Sequence, residues 1–433
     1  MKILQVNKFH YLKGGAERYY LELARMLRRN AHQVSEFSME DPANLTSAYS
    51  RYFVSNLSKE PGLKNWFFYP FRVIYGIEAK KKFEKLIIEF RPDVIHIHNI
   101  YHQISPSILG AAKKHGVPVI MHLHDYKLVC PNAKMFCKGK VCEKCKGGKF
   151  YNCFLNRCID NSAAKSLIAT IEMYFHRLAG LYEKNVNLYI APSNFLRDKI
   201  IEWGIDAEKI IYFPYFVDEI ESGDNEKGNN KNKGNDYFLY YGRLSEEKGV
   251  GVIIDALALM DKKPKLLIVG TGPMESLLRD KTKELDLRDH VEFTGYKSGQ
   301  ELGEIIKKAK AVIIPSVWYE NMPFTVTEAM LAGKIVIASD IGGISELVQG
   351  GKSGKLFKPG SAGDLAGKIS AVYNNEDAAE KTGFFGSDYI KNSFNGADHL
   401  ARIEKIYAEI VDIKNRTVGR RPGEGLTKPL KIS

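Results

Sequence analysis

The stretch Trp318-Tyr319-Glu320-Asn321-Met322-Pro323-Phe324-Thr325-Val326-Thr327-Glu328-Ala329-Met330 decides the fold. It follows the apolar run Ala311 to Pro315, which reads as a buried parallel strand, and it leads into a helix ending near Ala332. Glu320 and Glu328 stand across the strand-to-helix turn with seven residues between them. In an open α/β sheet such a turn lies at the carboxyl edge of the strands, where ligands bind. The helix start offers unpaired N–H groups to an anion. Two carboxylates beside an anion site suit a ligand that carries hydroxyls as well as charge, as a nucleotide sugar does.

Outward from this stretch the same alternation of strand and helix repeats. In the front half, Ile3–Asn7, Val34–Ser38, Val94–His98, Val119–His124, Leu188–Ala191 and Ile210–Phe213 read as strands. Helices are expected at Gly15–Arg29 and from about Pro106 to His115, and Ser193 caps another. The pattern predicts a parallel sheet covered on both faces. Residues 219–236 are rich in Gly, Asn and Lys and cannot bury enough surface to fold alone, so they read as a linker or mobile loop. The alternation then restarts with Tyr237–Tyr241, Leu266–Val269, Val291–Phe293, Ala311–Pro315 and Ile335–Ala338. The expected architecture is α/β, with two doubly wound Rossmann-like domains at 1–218 and 237–397 facing across a cleft. A terminal helix is expected at 398–414 and a disordered basic tail at 415–433.

Bulk composition narrows the class. The 433 residues are 44% hydrophobic and 26% charged, which is ordinary for a globular protein of two or more domains. No apolar run is long enough to span a membrane, and the opening Met1–Val6 reads as a strand rather than a signal peptide. A cytoplasmic chain is expected. The net charge of +12 permits nucleic acid, anionic lipid or phosphorylated small molecules as partners. No nucleic-acid module is present in the sequence, so nucleic acid is not expected.

Several turns carry chemistry. Lys13-Gly14-Gly15-Ala16-Glu17-Arg18 follows the first strand and opens a helix; its glycines let backbone approach a ligand, or simply make a tight turn. Gly242-Arg243-Leu244-Ser245-Glu246-Glu247-Lys248-Gly249 sets two cations at a strand-to-helix turn. Arg243 can fork onto phosphate oxygens and Lys248 acts as a point charge, unless both are solvated surface residues. Gly270-Thr271-Gly272-Pro273 resembles the start of a dinucleotide fingerprint but lacks its third glycine. Ile341-Gly342-Gly343-Ile344 is a further Gly-rich turn. His122-Leu123-His124-Asp125-Tyr126 ends a strand, where His124 is placed either for work on a substrate or as a hydrogen-bonded core histidine. His96 and His98 make a similar pair.

Taken together, these motifs resemble the retaining, nucleotide-sugar-dependent glycosyltransferases of family 4, of the bacterial surface-polysaccharide type, which have the GT-B fold. The acid pair and the G-R-L-x-x-x-K-G segment carry the likeness, supported by Gly-Gly-Ala-Glu, His-Asp-Tyr and Phe293-Thr294-Gly295-Tyr296, over Met1 to about Tyr407. The resemblance implies that Arg243 and Lys248 hold the donor pyrophosphate, Glu328 bonds the ribose hydroxyls, and Glu320 faces the transferred sugar. It implies donor contacts from Met322, Pro323, Phe324 and Thr325, from Gly14, Gly15 and Gly272, and from Thr294 near the base. His124 would lie near the sugar and acceptor, in an acceptor-side first domain. The expected partners are a nucleoside-diphosphate sugar and a glycan or lipid-linked acceptor. The charge work falls to two cations and helix ends, so no cofactor is expected for catalysis. The alternatives are another GT-B-shaped enzyme, such as a nucleotide-sugar epimerase, and a non-catalytic basic binding protein.

Two features stand outside that site. All six cysteines fall between Cys130 and Cys158, and Cys142-Glu143-Lys144-Cys145-Lys146-Gly147 has the form of a metal knuckle. A structural zinc or iron–sulfur site held by Cys130, Cys142, Cys145 and Cys158 stands against free thiols and against disulfides. Asn65-Trp66-Phe67-Phe68-Tyr69-Pro70-Phe71-Arg72, followed by Lys80-Lys81-Lys82, suits either an anionic membrane surface on the inner face or a helix packed on the core.

Overall fold

The structure is a computed structural model and describes residues 1–56, 70–102, 104–217, 237–349 and 351–418. Two compact units divide the chain. The first holds Met1–Met135, Cys142–Tyr215 and the residues from Ala397 onward; the second holds Phe136–Val141 and Phe216–Gly396. The sequence-expected linker at 219–236 lies outside the described residues.

In chain order the strands are β1 (Lys2–Val6), β2 (Gln33–Phe37), β3 (Val94–Ile97), β4 (Val119–His122), the hairpin β5 (Phe136–Cys137) and β6 (Lys140–Val141), β7 (Leu188–Ala191) and β8 (Ile210–Tyr212). The first unit's sheet runs β2-β1-β3-β4-β7-β8 and every pairing in it is parallel. Its central strands β3, β4 and β7 are buried at every residue, as a sheet covered on both faces requires. The helix Gly15–Arg29 covers one face with Tyr19, Tyr20, Leu23 and Leu27, a period that matches its turn. Strand order reverses between β1 and β3.

The second unit adds β9 (Tyr237–Tyr241), β10 (Lys265–Val269), β11 (Val291–Gly295), β12 (Ala311–Ile314), β13 (Ile335–Ser339) and β14 (Gly354–Phe357), ordered β11-β10-β9-β12-β13-β14 and again parallel. This is the dinucleotide-fold order, with its reversal between β9 and β12. Phe238, Tyr240, Ile268, Ile313 and Ile337 face one layer of the core together with Ile253, Leu257, Leu365 and Ile369 from the covering helices. Both sheets are therefore doubly wound, as the alternation predicts.

Two expectations change. The last helix does not end at 414: it runs Gly396–Val418, four residues into the stretch read as a disordered tail, and residues 419–433 lie outside the described residues. It also belongs to the first unit rather than following the second. His399 Nε2 meets the Tyr19 hydroxyl at 3.0 Å, Glu404 Oε1 meets His32 Nε2 at 2.7 Å, and the Tyr407 hydroxyl meets His96 Nδ1 at 2.7 Å. Contacts to residues hundreds of positions earlier tie the front of this helix to the first sheet, a placement that composition alone does not show.

Candidate functional site

The reversal in the second unit places two loops side by side: Gly242–Gly249 after β9 and Pro315–Pro323 after β12. Backbone ties them, since the Val317 N–H donates to the Glu247 carbonyl at 3.0 Å. Gly249 has φ +68, and a β-carbon there would overlap the Pro315 carbonyl oxygen, so only glycine allows this approach. Lys248 Nζ donates to Glu320 Oε1 at 2.6 Å, across 72 residues of sequence. The Ser316 hydroxyl donates to the same carboxylate oxygen at 2.8 Å. Glu320 is buried and doubly held. Its loop is closed from the other side by the Gly343 N–H, which donates to the Glu320 carbonyl at 2.7 Å.

Arg243 differs. Its side chain is exposed and makes no hydrogen bond or ion pair among the described residues. Glu328 lies on the helix Phe324–Leu331, where its Oε2 stands 3.2 Å from the Tyr241 hydroxyl, which also donates to the Thr325 carbonyl at 2.8 Å. Met322 is buried and Pro323 stands at the helix start, so the positive helix end opens beside both loops. The structure therefore brings Arg243, Lys248, Glu320 and Glu328 to one sheet edge. Gly272 packs against backbone: a β-carbon there would overlap the Leu244 carbonyl oxygen, so it seats the Arg243 loop. Thr294 is the last residue but one of β11, the edge strand of the same sheet.

Four residues at this edge were not read from the sequence. Ser316 and Tyr241 end or follow strands beside the reversal, and that position is the signal that points to them. Ser245 Oγ and Trp318 Nε1 are buried without a hydrogen-bond partner among the described residues. Orphaned polar groups in loops at a ligand edge fit a site that a polar ligand completes.

In the first unit, the reversal between β1 and β3 joins Asn7 to Asn99: the Asn99 N–H donates to Asn7 Oδ1 at 3.1 Å. Gly14 and Gly15 open the helix beside it. Gly14 is extended at φ −166, so it contributes open space rather than an unusual backbone. Burial, then the Lys13 charge, pushes the Lys8 ammonium down to about 8, with Glu17 and Asp125 pulling the other way. His124 is held at both nitrogens, by the Tyr215 hydroxyl at 2.7 Å and by His98 Nδ1 at 2.9 Å, and His98 Nε2 reaches Gln5 Oε1 at 2.7 Å. The rings of His96, His98, His122, His124 and Tyr215 stack in succession. Burial drives the His124 ring down to about 3, so it is neutral at physiological pH.

The pattern described as Glycosyltransferase Family 4 matches residues 13–220, and the pattern described as Glycosyl transferases group 1 matches residues 222–386. The chain belongs to the group 1 and family 4 glycosyltransferases. An uncharacterized 42.6 kDa protein in the cps region of Klebsiella pneumoniae is 28% identical over 364 residues, which cover 80% of this glycosyltransferase and 87% of that protein. The amylovoran biosynthesis glycosyltransferase AmsK of Erwinia amylovora is 27% identical over 248 residues, covering 54% of this chain and 58% of AmsK. The crystal structure of Anabaena Alr3699/HepE in complex with UDP shares the fold, with a TM-score of 0.67 at 19% identity over 94% of this chain and 100% of that one. The two Rossmann-like domains are thus those of the GT-B architecture.

Elsewhere in the glycosyltransferase, the cysteines form no disulfide. Among the described residues no three His, Cys, Asp or Glu side chains are grouped to hold a metal ion. Burial pushes the Cys130 thiol up to about 11 and the Cys145 thiol up to about 12, with smaller contributions to both from Cys142 and Cys158. His122 is fully buried, and neither of its ring nitrogens has a partner among the described residues. Leucine of similar size removes two unsatisfied polar atoms. His122→Leu is expected to gain about 1 kcal/mol and raise Tm by roughly 2–4 °C, and a fall in Tm by calorimetry would refute that account.

Proposed function

We propose that this glycosyltransferase moves a sugar, with retention, from a nucleoside diphosphate to a glycan or lipid-linked acceptor in surface-polysaccharide synthesis. The observation that carries it is the free Arg243 beside the tethered Lys248–Glu320 pair at the reversal of the second sheet. The amylovoran and colanic acid glycosyltransferases among its relatives, and the UDP complex of its structural neighbour, support the substrate class. They do not favour the epimerase or the binding-protein alternative.

In this reading the pyrophosphate meets Arg243, Lys248 and the start of the helix Phe324–Leu331. Glu328 accepts from the ribose hydroxyls, and the Glu320 loop holds the sugar. The bond from the anomeric carbon to the diphosphate oxygen breaks, and the acceptor hydroxyl oxygen bonds that carbon on the same face. The hydroxyl proton passes to the departing diphosphate. Negative charge grows on the leaving group as this happens, and fixed cations in place beforehand stabilise it without reorganisation. The reading gives that charge work to side chains rather than to a metal ion.

No helix among the described residues is long and apolar enough to cross a membrane. A lipid-linked acceptor therefore calls for surface contact on the inner membrane face. Of the aromatic stretch expected to supply it, residues 65–69 lie outside the described residues. Lys82 is occupied, donating to the Phe53 carbonyl at 2.6 Å and pairing with Glu78 at 3.0 Å.

A panel of UDP-, GDP-, ADP- and dTDP-sugars tests the donor site. The cognate donor at a hundredfold excess over Kd is expected to stabilise the protein by about 2.7 kcal/mol. No thermal shift with any member of the panel would sink the reading.

A further inference from the structure

The helix Ala163–Ala179 is built inside out. Its inward face carries four polar residues, Ser166, Thr170, Glu172 and His176, beside only two apolar ones, Ala169 and Met173, all buried. Its outward face carries Leu167, Ile171, Phe175 and Leu178, which are 43%, 47%, 42% and 83% exposed. An ordinary surface helix does the reverse. Its orientation is locked from within. Glu172 Oε2 pairs with Lys127 Nζ at 2.8 Å, with both side chains almost fully buried, and His102 Nδ1 stands 3.5 Å from the same oxygen. The His176 Nε2–H donates to the Ile74 carbonyl at 2.7 Å, and Thr170 Oγ1 reaches the Phe150 carbonyl at 3.3 Å. Turning the leucines inward would strand a buried ion pair, which costs several kcal/mol.

The apolar face continues onto neighbouring elements. The helix Tyr151–Asn156 packs against Ala163–Ala179 and leaves Leu155 65% exposed. Phe175 meets the Tyr75 ring at 6.4 Å, and Phe71 nearby is 64% exposed. A row of exposed apolar side chains along one helix face, with more on the elements packed against it, marks an interaction site rather than scattered exposure. The charges along it are mostly cationic. The helix's one acid, Glu172, is buried, while Lys165 and Arg177 are exposed at its two ends. Lys80 lies 5.7 Å from the Tyr75 ring, and the acid at this edge, Asp160, is paired to Lys165 at 2.8 Å. Aliphatic and aromatic side chains flanked by Lys and Arg, with one acid buried and the other paired, match the boundary of an anionic bilayer.

We propose that the outward face of Ala163–Ala179, with Leu155 and Phe71, is the surface by which this protein seats on an anionic lipid membrane. The proposal takes its purpose from the lipid-linked-acceptor reading above and rests on it to that extent. It moves the contact from Lys80–Lys82 to Leu167, Ile171, Phe175 and Leu178.

Flotation of the full chain with vesicles of phosphatidylglycerol and phosphatidylcholine tests it. The parent protein is expected to float and Ile171→Asp/Phe175→Asp to lose about tenfold or more of its partition, while Ile171→Leu/Phe175→Leu floats like the parent. Leu178→Glu, at the most exposed position, serves as a second variant should the double variant unfold. Melting temperature and nucleotide-induced stabilisation are expected to stay unchanged, so failure here is separable from failure of the donor site. The proposal is overturned if the parent does not float, or if the acidic variants float as well as it does. It is also overturned if the parent is a dimer that Leu178→Glu converts to a monomer, since a second copy would then be the occupant.

Discussion

Replacing Arg243 by alanine is expected to lower kcat/KM for sugar transfer about 100- to 1,000-fold, the usual effect of losing one fixed charge-stabilising donor. The melting temperature should move by no more than about a degree, because the side chain is exposed and touches no partner that the fold depends on. Lys248 offers a contrast. It donates to a buried carboxylate that Ser316 also holds, so Lys248→Ala removes a cation and leaves Glu320 short of one. Leaving a buried carboxylate without its cation is destabilising, so loss of activity at Lys248 should come with a lower Tm. Steady-state kinetics beside thermal melts for both variants separates the two roles. An Arg243→Ala enzyme of parental kcat/KM would remove Arg243 from the donor site.

Acidification should unfold this protein early. Burial pushes the His96 and His399 rings down to about 3 and the His10 ring down to about 4, and all three side chains are almost fully buried. In the unfolded chain each takes up a proton near its ordinary pKa of about 6.5. Between those values the unfolded state binds more protons than the folded one, so stability rises with pH. The stabilisation from neutral burial is full above about pH 6.5 and is lost progressively toward pH 3–4. At pH 5 each such histidine costs roughly 1 to 2 kcal/mol, so three of them consume much of a typical 5–15 kcal/mol. Asp125 works in the opposite direction. Burial raises it to about 6, so protonating it favours the folded state as pH falls, but it is one group against several. Melting curves from pH 8 to pH 5 at fixed ionic strength should show Tm falling steeply below about pH 6.5. A flat profile over that range would mean that these rings are hydrated or charged in the folded protein.

Much of the fold can be read from sequence because its signals are local. Leu188–Ala191 and Tyr237–Tyr241 are strands to the residue, and Gly15–Arg29 is a helix to the residue. Runs of Val, Ile and Leu bounded by glycine and caps specify such elements without reference to anything distant. The strand β14 escaped because Gly354-Lys355-Leu356-Phe357 carries too little apolar content to stand out at a sheet edge. The helix Ala163–Ala179 is hard to read in another way. Its spacing is helical, but periodicity cannot say which stripe faces inward, and here the mainly polar one does.

For the candidate site, the sequence by itself determined the residue types and their turns: Arg243 and Lys248 after one strand, Glu320 and Glu328 after another. It determined the two-domain α/β class through hydrophobic alternation, a property of neighbours along the chain. Only the tertiary structure decided that Lys248 is bound to Glu320 while Arg243 is left free, that Ser316 and Tyr241 support the acids, and that the terminal helix returns to His96 and Tyr19. These are consequences of strand order. A strand order that reverses between β9 and β12 sets two loops side by side that lie about seventy residues apart in sequence. Which atoms then meet depends on sheet order and on the shape of both loops, and no local pattern encodes either.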